Sequence, residues 1–317
     1  MQPIKDWIDD LGYSNYKLEV VSADASLRKY YRLILENGDS FVIMDSSLQK
    51  DSVYPFIDIS VRLLKAVVDI PRVYHQDLAH GYLLLEDLGD THLSSMLNDM
   101  SYKLLYTKSI YEIIKMQNAD TTGLDSYDEE FILFEMSLMQ EWYIEKYLGV
   151  KLNNKGEQLF NNSLQLIKDE MLSQPQGYFV HRDFHSRNIM FKGKGKVAVI
   201  DYQDARVGAI TYDLASLLKD VYIRFDREKI IELVLEFKEL KGGLQDISDE
   251  QFIRWFDFTA LQRHIKILGI FARLNIRDNK PNYIENIPMT ISYIREAISI
   301  YSELKPLGMI LDSLKNS

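Results

Sequence analysis

The sequence predicts an α+β chain, with a small antiparallel sheet in residues 1–88 and a mainly helical remainder in residues 89–317. Three observations carry this. Short β-branched and aromatic runs alternate with turn residues over the first part of the chain. Apolar residues recur at helical spacing from Leu93 onward. Within that helical region, a polar loop and a glycine-turned hairpin at residues 181–201 interrupt the pattern.

In chain order, residues 3–11 read as a first helix. Pro3 suits its first turn, Ile4, Trp7, Ile8 and Leu11 share a face, and Gly12 stops it. Strands at 18–21 and 30–35 flank the small polar turn Ser22-Ala23-Asp24-Ala25-Ser26. Asn37-Gly38 is a hairpin turn, so Ser40-Phe41-Val42-Ile43-Met44 is the third strand. A second helix is expected at 51–68 and an extended piece at 70–74. Gly81-Tyr82-Leu83-Leu84-Leu85 is a buried-type strand running into an exposed hinge at 86–90, where Glu86 and Asp87 are polar because water reaches them. Leu104, Tyr111 and Ile114 then mark a helical stripe, and residues 131–148 another in which Met136 and Met139 serve packing. No repeat, low-complexity tract or long linker occurs, so the two lobes read as one folding unit with a short hinge.

Composition narrows the function classes. With 317 residues, 46% hydrophobic and 26% charged, the chain has ordinary globular values. A formal net charge of −10 argues against nucleic acid or an anionic membrane as partner, since both attract basic faces. The absence of cysteine excludes disulfides, a thiol nucleophile and a Cys-type zinc site. The start of the chain lacks a signal-type apolar stretch, and no run approaches the ~18 apolar residues of a membrane span. The expected setting is the cytoplasm, as a monomer or weak homodimer.

The most informative stretch is His181-Arg182-Asp183-Phe184-His185-Ser186-Arg187-Asn188, followed by Asp201. Asn follows Asp by five positions and the second Asp comes thirteen later, the order of a phosphoryl-transfer loop. There the first Asp accepts the acceptor-hydroxyl proton, while the Asn and second Asp hold Mg²⁺ on the phosphates of ATP. Oxygen ligands suit that hard ion, which keeps several waters. Strands at 177–180, 189–191 and 197–200, with the turn Lys192-Gly193-Lys194-Gly195-Lys196, form a hairpin bringing Asn188 and Asp201 to neighbouring strand ends. A lone His-Arg-Asp would be an ordinary surface loop; the full spacing on a hairpin outweighs that.

Other candidates depend on this loop. Ser22 and Ser26 occupy the place of a phosphate flap that here has no glycine, a weak signal that an ordinary hairpin loop explains equally well. Met44-Asp45 stands where a kinase carries its phosphate-binding lysine, which leaves Arg28, Lys29 or Arg32 to meet the phosphate charge. The hinge backbone around Glu86 and Leu88 would face the adenine edge. Arg187 would steady the transferring phosphate. Asp213 opens a helix and braces the loop backbone, a structural role. Asp204 touches a second metal or substrate, or orients Arg187 or Arg206. The helix 262–274 carries Arg263, His264, Lys266 and Arg273 among apolar residues. It is either a snorkelling surface helix or one wall of a pocket for a polar, anionic acceptor.

Together these stretches resemble the aminoglycoside phosphotransferase/choline kinase superfamily, which has a protein-kinase-like fold, and the likeness covers most of the chain. The motif Asp24 to Arg32, Met44-Asp45, Leu83 to Gly89, the 181–188 loop, Ile200 to Ala205 and the Gln262-Arg263-His264 helix look most like the bacterial cell-wall amino-sugar kinases. The resemblance implies Asp183 as catalytic base, Asn188 and Asp201 as metal ligands, His181 as support, and the later helix as part of the sugar site. It implies ATP and Mg²⁺, with the anomeric hydroxyl of N-acetylmuramate or N-acetylglucosamine as acceptor. An aminoglycoside or choline-like acceptor is the first alternative. A non-catalytic nucleotide-binding pseudokinase, suggested by the missing lysine, is the second.

Overall fold

The computed structural model describes residues 2–22, 28–193 and 195–314. The chain forms two compact units, one of Met1–Met96 with Arg187–Asp204 and the other of Leu97–Ser186 with Ala205–Ser317. The first unit therefore extends past residue 88 and takes in the later hairpin.

In the first unit, α1 (Gln2–Asp10) buries Ile4 and Ile8 against Tyr31, Leu33, Ile43, Tyr82 and Leu84. The sheet comprises β1 (Tyr16–Ser22), β2 (Lys29–Leu35), β3 (Ser40–Asp45), β4 (Val73–Asp77) and β5 (Tyr82–Glu86). It is antiparallel throughout, in the order β1-β2-β3-β5-β4. Gly38 makes the β2–β3 turn at φ +87°, a conformation that side chains resist. Between β3 and β4, α2 (Val53–Lys65) buries Val53, Phe56, Ile59 and Leu63 along one stripe. β4 begins later than the extended piece the sequence predicts, beyond Pro71, which has no N–H to give a ladder. A single turn, α3 (Leu93–Met96), follows β5.

The second unit is mainly helical. α4 (Tyr102–Met116) precedes α5 (Glu129–Leu138), which continues without a break as a π-helical stretch, Met139–Tyr147, and then comes α6 (Asn154–Leu172). β6 (Tyr178–Val180) leads into the loop. β7 (Ile189–Phe191) and β8 (Val197–Val199) form the expected hairpin in the first unit. Back in the second unit, β6 pairs with β9 (Arg206–Gly208), a strand the sequence reading left unassigned. Helices α7 (Tyr212–Leu218), α8 (Arg227–Lys241), α9 (Asp249–Ile276), α10 (Ile287–Ile300) and α11 (Lys305–Ser313) complete it.

Helix α9 is the axis of this unit. Ser248 caps it by accepting from the Gln251 N–H at 3.2 Å, and Asp249 and Glu250 place negative charge in its first turn. Every residue from 255 to 266 is buried, so the helix is enclosed all round rather than snorkelling at a surface. Gly269 is a point of close approach: a Cβ there would lie 2.3 Å from the Leu138 carbonyl carbon. Among the described residues no helix is long and apolar enough to cross a membrane.

Replacing a helical glycine with alanine ordinarily gains about 1 kcal/mol. At Gly269 the new methyl would strike backbone, so Gly269→Ala is expected to lose roughly 2 kcal/mol or more, read as a lower urea midpoint at unchanged slope. A variant as stable as the parent would show that the two helices part without penalty.

Candidate active site

In the first unit, the hairpin sets the Asn188/Asp201 pair. Ile189 pairs with Val199, and the Ile200 N–H donates to the Asn188 carbonyl at 3.0 Å, so both residues sit at the hairpin's open end. The Asn188 Nδ2 lies 3.4 Å from Asp201 Oδ2. Asp201 is exposed and adopts φ +64°, in the left-handed region that few residues other than glycine, asparagine and aspartate enter. Next to it Tyr202 is fully buried, its ring 5.0 Å from Phe56 and its hydroxyl 2.8 Å from Ser60 Oγ. Gln203 bridges Asp201 (3.1 Å) and Asp204 (3.2 Å).

Backbone hydrogen bonds fasten this hairpin within its unit. Phe191 donates to the Thr91 carbonyl at 2.7 Å and Val199 to that of Asp69 at 2.8 Å. The exposed Arg187 offers its carbonyl to His92 Nδ1 at 2.7 Å. Lys192 joins Asp69 (3.0 Å) and Glu86 (2.9 Å). The Glu86 side chain is thereby engaged in a structural ion pair, while Leu88 remains half-buried in the hinge.

The other nucleotide-side candidates are placed as follows. Ser22 ends β1 opposite Tyr30, and Ser26 lies outside the described residues. Arg28 is buried, its guanidinium 3.2 Å from the Ser52 carbonyl. Lys29 is exposed at the start of β2, opposite Asp45. Arg32 forks onto Asp87 (2.7 and 3.1 Å) and Asp90 (2.9 and 2.7 Å), so its charge is already met inside the hinge.

The second unit carries Asp183 beside a buried set of charges. Asp213, in the first turn of α7, accepts from the backbone N–H groups of His181 (2.8 Å) and Arg182 (3.1 Å). Farther along the loop, Asp220 accepts from the Ser186 N–H at 2.9 Å and from its hydroxyl. Arg182 takes φ +77° and reaches Glu135 at 2.8 Å. Glu135 also meets Lys266 at 3.0 Å and accepts from the Tyr127 hydroxyl. Tyr127 lies 3.1 Å from the Tyr212 hydroxyl and accepts from Gln262 at 3.0 Å. Burial pushes the half-buried Asp183 carboxyl up, but Lys266, Arg263, His185 and Arg182 outweigh it and hold the group well below the usual carboxylate range.

Arg263 and Lys266 are thus buried near Asp183, whereas two other α9 candidates are not part of that group. His264 stacks on Tyr293 with ring centroids 4.7 Å apart and hydrogen-bonds the Lys219 carbonyl at 2.9 Å. Arg273 is half-buried seven residues beyond Lys266, about 10 Å along the helix axis. Sequence reasoning missed Glu135, Tyr127 and Tyr212. The one available signal was a lone acid inside the apolar run Phe131-Ile132-Leu133-Phe134-Glu135-Met136, because a buried charge requires partners.

Chemically, Asn188 and Asp201 form an oxygen-bearing pair suited to a hard cation that takes its remaining ligands from water or phosphate. Among the described residues no three of His, Cys, Asp and Glu gather as a complete metal cage. Asp183, kept ionised, is suited to receiving a hydrogen bond from a hydroxyl.

The chain is similar to known proteins over most of its length. A family model described as the phosphotransferase enzyme family matches residues 17–247, more than two thirds of the chain. The N-acetylmuramate/N-acetylglucosamine kinase of Neisseria meningitidis serogroup B is 38% identical over 320 residues, spanning 98% of this chain and 95% of that protein. The ADP-bound aminoglycoside phosphotransferase APH(2'')-Ib superposes with a TM-score of 0.64 at 13% identity, covering 93% of this chain and 98% of that one. Choline kinase LicA from Streptococcus pneumoniae gives 0.63 at 15% identity, with coverage of 93% and 98%. At such identities the structural likeness concerns the protein-kinase-like fold alone.

His264 provides a pH test of this region. Burial holds its imidazole down to about 3, so between the ordinary histidine value near 6.5 and pH 3 the unfolded chain binds a proton that the folded chain does not. Its contribution to stability is complete above about pH 6.5 and falls by at most about 1.4 kcal/mol per unit below it. Urea titrations at descending pH should show the gap between the parent and His264→Gln narrowing below pH ~6. Parallel pH dependences would contradict a buried neutral ring.

Proposed function

The chain belongs to the phosphotransferase enzyme family, and we propose that it transfers the γ-phosphoryl group of ATP to the anomeric hydroxyl of N-acetylmuramate or N-acetylglucosamine. The acceptor class rests on one observation above the others: identity with a kinase of that name runs nearly end to end in both chains. The phosphoryl-transfer chemistry rests on the loop carrying Asp183 and Asn188 and on the Asn188/Asp201 pair at the hairpin's open end.

In this reading Asp183 accepts the hydrogen bond of the acceptor hydroxyl and orients its oxygen. That oxygen forms a bond to the γ-phosphorus while the bond to the bridging oxygen breaks. The bonding electrons leave with ADP and the hydroxyl proton passes to the Asp183 carboxylate. Asn188 and Asp201 are the residues that would hold magnesium, each through a side-chain oxygen. Bound there, the ion would neutralise phosphate charge. Positioning and charge neutralisation supply most of the rate in such loose transition states. Arg187, exposed beside Asn188 in sequence, is the candidate for steadying the transferring phosphate.

An aminoglycoside or choline-like alcohol is the alternative acceptor. A cationic acceptor is poorly served by Asp183 surroundings that already hold Arg182, Arg263 and Lys266. The intact Asp183, Asn188 and Asp201 argue against a pseudokinase.

Asp183→Asn is expected to keep nucleotide binding and lose turnover by at least ~100-fold, the range for general-base loss. An ADP-release assay over amino sugars, aminoglycosides and small alcohols identifies the acceptor. Turnover on the amino sugars alone supports the reading, and turnover on another class replaces it. Chelating the divalent cation should abolish ADP release with every acceptor, and readdition of magnesium should restore it.

A further inference from the structure

Arg182 has three polar handles, and each is held by a different helix. Its N–H donates to Asp213 on α7, its carbonyl accepts from Arg263 on α9, and its guanidinium pairs with Glu135 on α5. Such a grip is what a non-glycine residue at φ +77° needs, because backbone strain persists only where the surroundings over-determine it. The residue so fixed immediately precedes Asp183. Arg263 lies 5.0 Å over the Tyr212 ring, and Lys266 shares Glu135 with Arg182. Both cations are only 5% exposed, too enclosed to greet a diffusing acceptor.

We infer that Arg263 and Lys266 are positioning residues for phosphoryl transfer rather than acceptor-binding groups: they fix the turn that carries Asp183 and surround its carboxylate with positive charge. The inference rests on Asp183 being the residue that meets the acceptor hydroxyl. The charged groups that act most on Asp183 are Lys266 and Arg263 from α9 and His185 and Arg182 from its own loop; Glu135 on α5 pairs with Arg182 and Lys266, and Asp213 on α7 holds the loop backbone. Opposite charge favours the ionised carboxylate, and the two α9 cations lead that effect. A carboxylate held so firmly as an anion is a feeble base but a dependable hydrogen-bond acceptor. That suits a loose transition state, in which orienting the hydroxyl matters more than removing its proton early.

Lys266→Met, assayed with the uncharged acceptor N-acetylglucosamine, separates the two roles. The positioning role predicts that kcat falls about tenfold or more with acceptor KM little changed. Lys266→Arg should return kcat toward the parent. The charge-balanced pair Glu135→Gln with Lys266→Met should show the same split, which guards against misfolding of the single variant. An acceptor KM raised about tenfold with kcat unmoved would assign Lys266 to the acceptor and overturn the inference. Parent-like values of both would overturn it too. Failure of the underlying reading shows separately, as an active Asp183→Asn.

Discussion

A carboxylate almost sealed from water, Glu135, is the constraint around which the second unit is arranged, with 3% of its surface exposed. Burial alone would push its carboxyl up, yet Lys266 and Arg182 overcome that and hold it below the usual glutamate value. Removing such ions from water costs several kcal/mol each, recovered only where geometry is good and remaining lone pairs are satisfied. Here two cations, the Tyr127 hydroxyl and the Gln262 amide supply that satisfaction. The set works as a whole, since deleting one partner strands the others. Its consequence is directional: Arg182 cannot swing away, and so the residue after it cannot either.

The distance between Glu135 and Lys266 is itself set by packing. Three residues beyond Glu135 stands Leu138, and three beyond Lys266 stands Gly269. The ion pair is made at 3.0 Å, and one turn later the two helices come so near that a Cβ at Gly269 would lie 2.3 Å from the Leu138 backbone. Both contacts advance by one turn in the same sense along α5 and α9. The helix closed by Leu138 changes immediately afterward to the wider π winding of Met139–Tyr147. Such insertions occur often at functional sites. Here the change begins directly after the residue whose backbone the neighbouring helix crowds. Glycine allows the approach, and the approach brings a lysine within reach of a buried acid.

How far the sequence discloses this differs by element. Asn37-Gly38 states its turn locally, and the hairpin at residues 189–199 is announced by apolar triplets around glycines, so both read correctly from residues alone. The 181–188 loop is legible because its spacing is chemical and not conformational. Pairing of β6 with β9 is not legible: each strand has three residues, and their partnership is decided across an intervening hairpin. The helix at 131–148 reads as one apolar stripe, because composition does not distinguish α from π winding. The α9 cations were visible as an oddity, but whether they faced water or a buried acid depended on Glu135, well over a hundred residues earlier. A lone charge in an apolar helix signals that a partner exists without saying where.

The third strand without its lysine belongs to the same electrostatic logic. Met44 is fully buried and Asp45 spends its carboxylate on the Ser47 N–H at 2.9 Å, so neither replaces a phosphate-binding cation. Arg32 is consumed by Asp87 and Asp90, and Lys192 by Asp69 and Glu86. Within the first unit, then, several cations are committed to stitching the sheet, hinge and hairpin, while the exposed end of that hairpin is carboxylate-rich through Asp201 and Asp204. Under the proposed function, a site so disposed would draw a divalent cation before phosphate, and phosphate binding would follow the ion. The second unit shows the reverse bias, with Arg182, Arg263 and Lys266 gathered around Asp183. A formal charge of −10 hides both, because catalysis is governed by local fields of opposite sign and not by their sum.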